Sequence, residues 1–202
     1  LSFIVSALVL SRIRLQAPPR LEVDRTLRAV LRQYVQGLRY VKQHGEIAAT
    51  ALHKAALVFC FGAPFEVIQV AISRQVFSVG EGGALGLGMM YAVVGIGTGL
   101  GPIAARCVTG DRLPALRWSI VLGYALAVVG LLLIATLRSF EGVLLGILIR
   151  SCGSGIIWVF STQILLQIVL PEVRGRVFST EIAFSMLMSA VGASIGGLSL
   201  IH

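Results

Sequence analysis

Apolar residues fall in long blocks along this chain, separated by short clusters of charge. The longest block, residues 142–170, holds a single charged residue, Arg150. Its length excludes a core strand and exceeds the roughly 20 residues that a helix needs to cross a bilayer. Blocks at about 49–72, 84–105, 118–137 and 182–201 read the same way, the first broken by Gly62-Ala63-Pro64 and carrying Glu66. Residues 1–10 form a shorter block that ends at Ser11-Arg12-Ile13-Arg14. With no basic stretch before it and no cleavage pattern, it reads as the end of a transmembrane helix and not as a signal peptide. The chain starts inside that block without a methionine and stops at His202 as the last block closes. The expectation is a piece of an all-α polytopic membrane protein, with residues 49–202 forming a bundle of five helices.

Residues 11–48 are polar, with a turn at Pro18-Pro19. Within them Leu27, Leu31, Val35, Leu38 and Val41 recur at helical spacing, with Tyr34 beside Val35. Arg28, Arg32, Arg39 and Lys42 lie mostly off that stripe. The pattern predicts a short basic amphipathic helix lying against anionic headgroups, in a linker between membrane bundles. A soluble nucleic-acid-binding helix is the rival reading, and the membrane blocks on either side count against it.

Composition agrees with the blocks. The 202 residues are 56% hydrophobic and only 13% charged, against about 25% charged in soluble domains, and the mean hydropathy is +0.90. The net charge of +8 could signal nucleic acid, but the basic residues occupy the gaps between apolar blocks, where they set topology. Fourteen of them, from Arg12 through Lys54 and at Arg106, Arg112, Arg117, Arg174 and Arg176, fall on one side, and Arg74 and Arg138 fall on the other. The richer side is read as cytoplasmic, which makes the chain a multi-pass protein of a cell membrane with no nucleic-acid partner.

The chemistry then rests on charges inside the membrane. An arginine at mid-bilayer costs about 2.5–3.5 kcal/mol on insertion scales, so Arg150 is expected to face a partner, a polar cavity or a substrate. Glu66 lies roughly 9 Å from the outer end of its block and Arg150 about 12–15 Å from the same side, at 1.5 Å per residue. The depths overlap, so an ion pair between them is possible. Glu66 shares a helical stripe with Phe59, Gly62, Gln69 and Ser73, and Arg150 one with Ser154, Trp158 and Ser161. Two such stripes read either as the wall of a water-filled cavity or as a buried lock for helix packing.

Elsewhere the block at 84–105 carries two GxxxG patterns, Gly95/Gly99 and Gly97/Gly101, ahead of Pro102, and the last block carries Ser185, Ser189, Gly192, Gly196 and Ser199. Both are expected to be close-packing faces. No phosphate-loop pattern occurs, Cys60, Cys107 and Cys152 are far apart, and His44, His53 and His202 are isolated. No metal site, cofactor motif or catalytic constellation is expected, and the chain does not read as an enzyme.

One segment adds a resemblance. Leu170-Pro171-Glu172-Val173-Arg174-Gly175-Arg176-Val177 resembles the loop between helices ten and eleven in the branch of the major facilitator superfamily that holds bacterial siderophore (enterobactin-type) and drug exporters. Residues 1–8 with Arg12-Ile13-Arg14 look like the end of that family's helix six, and Gly37-Leu38-Arg39-Tyr40-Val41 like its central segment before helix seven. The resemblance implies the C-terminal six-helix half of that fold, from late helix six to helix eleven, working with an N-terminal half. It implies a secondary transporter, with proton-coupled export of a small amphipathic molecule by alternating access as the expected activity. Glu66, Gln69, Arg150, Ser154 and Trp158 would then line the central cavity, Glu66 as the proton-titrating group and Arg150 as its counter-ion or as an anchor for an anionic substrate. The family's Gly-x-x-x-Asp-Arg gating loop persists only as Asp111, Arg112 and Arg117, with Cys107 and Pro114 where glycines belong. Two readings from other classes stay open: the membrane half of an ATP-driven exporter, and a non-transporting membrane scaffold in which Glu66 and Arg150 form a structural pair.

Overall fold

The computed structural model describes residues 9, 11–12, 26–136 and 139–199. The expected helix end at 1–10, apart from Val9, and the Pro18-Pro19 turn fall outside these residues. The described residues are almost all helical and include no strand. Helix α1 spans Leu27–Gln43. Five helices long and apolar enough to cross a membrane follow: α2 (Gly45–Val76), α3 (Ala84–Thr109, led by a short 3₁₀ turn from Glu81), α4 (Leu113–Thr136), α5 (Phe140–Ile168) and α6 (Pro171–Ser199).

Helices α2, α3, α4 and α6 reach beyond their apolar blocks at one end or both, because a helix does not end where the bilayer does, whereas α5 is shifted two residues toward the N-terminus of its block. The largest difference is in α6, expected to start near residue 182 and starting at Pro171. The segment Pro171, Glu172, Arg174, Gly175 and Arg176 is therefore not a loop but the first turns of a helix. Proline suits such a start, since its fixed φ is helical and a first-turn N–H has no partner to lose. Glu172 in the first turn complements the positive end of the helix dipole. Arg174 reaches back from Nη2 to the carbonyls of Leu166 (3.0 Å) and Val169 (3.3 Å), capping the end of α5. The connection is thus only Val169 and Leu170.

Helix α5 is the centre of the bundle and the most buried span. Glycines let its neighbours come close. A Cβ on Gly130 of α4 would lie 2.5 Å from the Arg150 backbone nitrogen and 2.6 Å from the Gly146 carbonyl. On another face, a Cβ on Gly97 of α3 would lie 2.7 Å from Ser151 Cβ, and one on Gly101 2.5 Å from the Cys152 carbonyl. Of the two GxxxG patterns, Gly97/Gly101 is therefore the packing face, while Gly95 and Gly99 have open space around them. In α6, Gly192 and Gly196 pack on Phe59 and Pro64 of α2, as the small-residue pattern predicts. With α4 and α3 seated by glycine, the polar stripe of α5 is left to face α2.

The end of α1 is not simply laid on a surface. Val41 is buried with Ile47, Leu165, Val169 and Val177, and Gly37 is packed against Arg176. Val35 and Leu38 of the expected apolar stripe are exposed, and the side chains of Leu27 and Leu31 lie outside the described set. The docked face is the one on which glycine permits contact, which an apolar stripe does not reveal.

Candidate functional site

The site begins with a break in α2. Pro64 has no N–H to give and crowds the carbonyl four residues before it. The helix accommodates this with a wide turn over Val58–Gly62, in which the Ala63 N–H bonds the Val58 carbonyl. Such bulges recur at functional sites. Here the carbonyl of Phe61, inside the bulge, accepts a hydrogen bond from Arg150 Nη2 of α5. The guanidinium also lies 3.9 Å from the centroid of the Phe65 ring, a cation–π contact.

Around this junction is a cavity of about 320 Å³, within the roughly 300–1,000 Å³ of small-molecule sites. Its lining includes Glu66 and Gln69 of α2 and Arg150, Ser154 and Trp158 of α5, the five residues that stripe and resemblance together single out. Helix α3 contributes a largely apolar wall with Tyr91, Val94 and Thr98. Glu66 and Arg150 each lie ten residues from a helix end, Val76 and Phe140 respectively, or about 15 Å at 1.5 Å per residue. Their depths match. They do not form an ion pair, however. Among the described residues the ion pairs are Lys54–Glu181, Arg106–Asp111 and Arg117–Glu46. Arg150 is 6% exposed and takes the Phe61 carbonyl and the Phe65 ring instead, while Glu66 is exposed in the cavity wall.

The degenerate gating residues do not converge on one point. Asp111 accepts from Arg106 Nη2 at 2.7 Å and from Gln163 Nε2, and Arg106 Nη1 also donates to Gln163 Oε1 at 3.1 Å. Together they tie the α3–α4 turn to α5. Arg117 pairs with Glu46 at the start of α2 at 3.3 Å, and Arg112 is exposed. Both ion pairs are more than half exposed, a setting in which such a pair is worth about 0–1 kcal/mol.

A second charged centre is absent from the sequence reading. Lys54 of α2 and Glu181 of α6 are 3% and 2% exposed, with Nζ 2.7 Å from Oε1. Lys54 Nζ also donates to Thr162 Oγ1 of α5 at 2.6 Å and sits 4.7 Å from the centroid of the Trp158 ring. The lysine reads in sequence as the mouth of a span beside His53, and the glutamate as part of a loop. Their shared depth becomes visible only once α2 is counted from Gly45 and α6 from Pro171: about 14 and 15 Å along helices that start at the same end of the bundle. No group of histidine, cysteine and carboxylate side chains suited to a metal ion occurs among the described residues.

Comparison with known proteins gives one relative to report. The chain is 28% identical over 195 residues to y4rN, named an uncharacterized MFS-type transporter, of Sinorhizobium fredii. The alignment covers 96% of this chain and 46% of the relative, so the chain spans about half the length of the curated relative it matches. No family model matches, and no solved structure matches. Five helices long and apolar enough to span a bilayer support a multi-pass membrane protein, and the relative that the chain resembles over half its length carries the name of a transporter.

Proposed function

We propose that this chain is the C-terminal half of a major facilitator superfamily transporter, working with a second six-helix half by alternating access around a site near mid-membrane. The observation that carries the reading is the convergence of Glu66, Gln69, Arg150, Ser154 and Trp158 on one cavity between α2, α3 and α5. Ionisable side chains are rare inside a membrane and line pathways when they face a cavity. The similarity to y4rN over about half its length supports the same reading.

In this scheme the bundle end that carries Lys42, Arg117 and Arg174 is cytoplasmic, in a cell membrane, and the activity is export of a small amphipathic molecule, drug-like or siderophore-like, driven by entry of protons. Glu66 is the proton-titrating group. When ionised it is drawn toward Arg150 in the same cavity, and when protonated it releases the guanidinium, which biases the balance of the two access states. The carboxylate is exposed in the cavity and makes no ion pair among the described residues, which leaves it accessible to protons in this scheme. Of the reduced gating loop (Asp111, Arg112, Arg117), Asp111 contributes a tie between α3 and α5 through Arg106 and Gln163 rather than a full gate.

The test is transport by the full-length protein in liposomes. An imposed proton gradient is expected to drive substrate movement and dissipate with it, and Glu66→Gln is expected to abolish the coupling without loss of substrate binding. Proton-independent movement that requires ATP would replace this reading with an ATP-driven one. No movement of any member of a broad substrate panel, with Glu66→Gln folding as well as the parent, would favour a scaffold.

A further inference from the structure

We propose that the cavity binds an amphipathic organic anion, its charged head held by Arg150, Gln69 and Ser151 and its apolar body against α3 and Trp158. The proposal rests on reading the cavity as a substrate site and adds the class of substrate. Its basis is an excess of donors with nothing to receive them. Arg150 makes one hydrogen bond, to the Phe61 carbonyl, and its Nε has no partner. Gln69 Nε2 and Ser151 Oγ are buried in the same wall and also lack partners. Gln69 is 1% exposed and Ser151 is fully buried.

An arginine has five N–H donors and no acceptor, so its needs are met only by groups that carry lone pairs. Buried polar groups are ordinarily satisfied, and each exception asks for an explanation. Three such groups on one wall share a single explanation, an acceptor-rich ligand. Carboxylate, sulfonate and phosphate heads satisfy it, because each accepts several hydrogen bonds at once and also neutralises the guanidinium, which among the described residues has no carboxylate within ion-pair distance. A cation would meet the guanidinium charge in a low-dielectric wall. The remainder of the lining is mostly apolar, with Phe65, Tyr91, Val94 and Trp158, which selects an anion with an aromatic or aliphatic body over a small inorganic ion. Glu66 then has a defined relation to the ligand: among the described residues it is the one carboxylate in the cavity lining, and it competes with the anion for Arg150.

The experiment is equilibrium dialysis of three probes of like size against the full-length protein in lipid nanodiscs, with empty nanodiscs subtracted. The probes are naphthalene-2-sulfonate, neutral naphthalene-2-methanol and 2-naphthyltrimethylammonium. The sulfonate is expected to bind at least about tenfold tighter than the other two, as a charge-assisted, multiply hydrogen-bonded head should. Arg150→Met should remove that preference, and Glu66→Gln should tighten the sulfonate several-fold. Should Arg150→Met fail to fold, Ser151→Ala serves: it weakens the sulfonate and leaves the ammonium unchanged. Equal binding of the three probes, a preference for the cation, or a sulfonate preference untouched by either variant overturns the proposal. Flux of the same probes in liposomes separates the two readings, since sulfonate binding without movement sinks transport and leaves the anion site standing.

Discussion

Removing one charge of the Lys54–Glu181 pair should be far more damaging than removing both. The two side chains are almost fully buried with Nζ and Oε1 2.7 Å apart. At an effective dielectric of ~20 the Coulomb attraction at that separation is about 6 kcal/mol. Most of it offsets the loss of hydration of two ions, so the net value of the pair is small, whereas a lone buried ion costs about 3–5 kcal/mol. Glu181→Leu would leave the Lys54 ammonium with only Thr162 and the face of Trp158, and Lys54→Met would leave the carboxylate alone. Each single variant is expected to lower the Tm of the detergent-purified protein sharply, and the double variant to recover most of the loss. The thermal unfolding of parent, two singles and double, followed by the fraction remaining monodisperse after heating, closes a double-mutant cycle. Additive effects would refute the reasoning, since they would mean that the two charges do not meet and that α2 and α6 are not packed as described.

Two further predictions test the arrangement at other points. With Cys60, Cys107 and Cys152 replaced, single cysteines at the exposed positions Gln43, Pro114 and Glu172 should react with impermeant maleimide only from the cytoplasm, and those at Ser78 and Ser139 only from outside; outside labelling at Glu172 would reverse the topology. Gly97→Leu should cut folded yield severely, because even its Cβ would lie 2.8 Å from the Leu148 carbonyl, while Gly99→Leu, with open space around it, should leave yield unchanged; equal yields would show that α3 does not meet α5 through Gly97.

Apolar blocks marked the five spans because a bilayer asks for one thing, a long run with few charges, and this chain supplies it five times. Glu66, Gln69, Arg150, Ser154 and Trp158 were legible as one cavity lining for a related reason. Polar residues are few in such runs, so helical spacing and matched depth leave little choice of partner. Lys54 and Glu181 were not legible, because hydropathy assigns a charge near the edge of a block to the headgroups. It has no means of counting the extra turns that α2 and α6 add beyond the apolar slab. The same blindness made a loop of Pro171–Arg176, although proline followed by an acidic residue is a helix start. Gly95/Gly99 and Gly97/Gly101 were equivalent as patterns, and only the position of α5 distinguishes them.

The two charged centres are joined by one ridge. Arg150, Ser154, Trp158 and Thr162 follow one another at four-residue steps on α5, a row inclined to the helix axis along which a neighbouring helix can lie. Helix α2 runs antiparallel along it, meeting Arg150 with Phe61 and Phe65 and meeting Trp158 and Thr162 with Lys54. Any displacement of α2 against α5 therefore disturbs both centres, but on unequal terms. Near Arg150 the contact is a carbonyl and a ring face, beside a cavity able to admit another acceptor. Near Lys54 the partner is the buried Glu181 carboxylate of α6, with the half-buried Thr162 and the exposed Trp158 of α5 beside it, and parting the pair would strand two buried ions. The Lys54 end thus ties α2, α5 and α6 together through a buried charge, and the bulge at Val58–Gly62 is the break in the regular hydrogen bonding of α2 between the two centres. Trp158, with one ring face toward Lys54 and a place in the cavity lining, stands between the two centres.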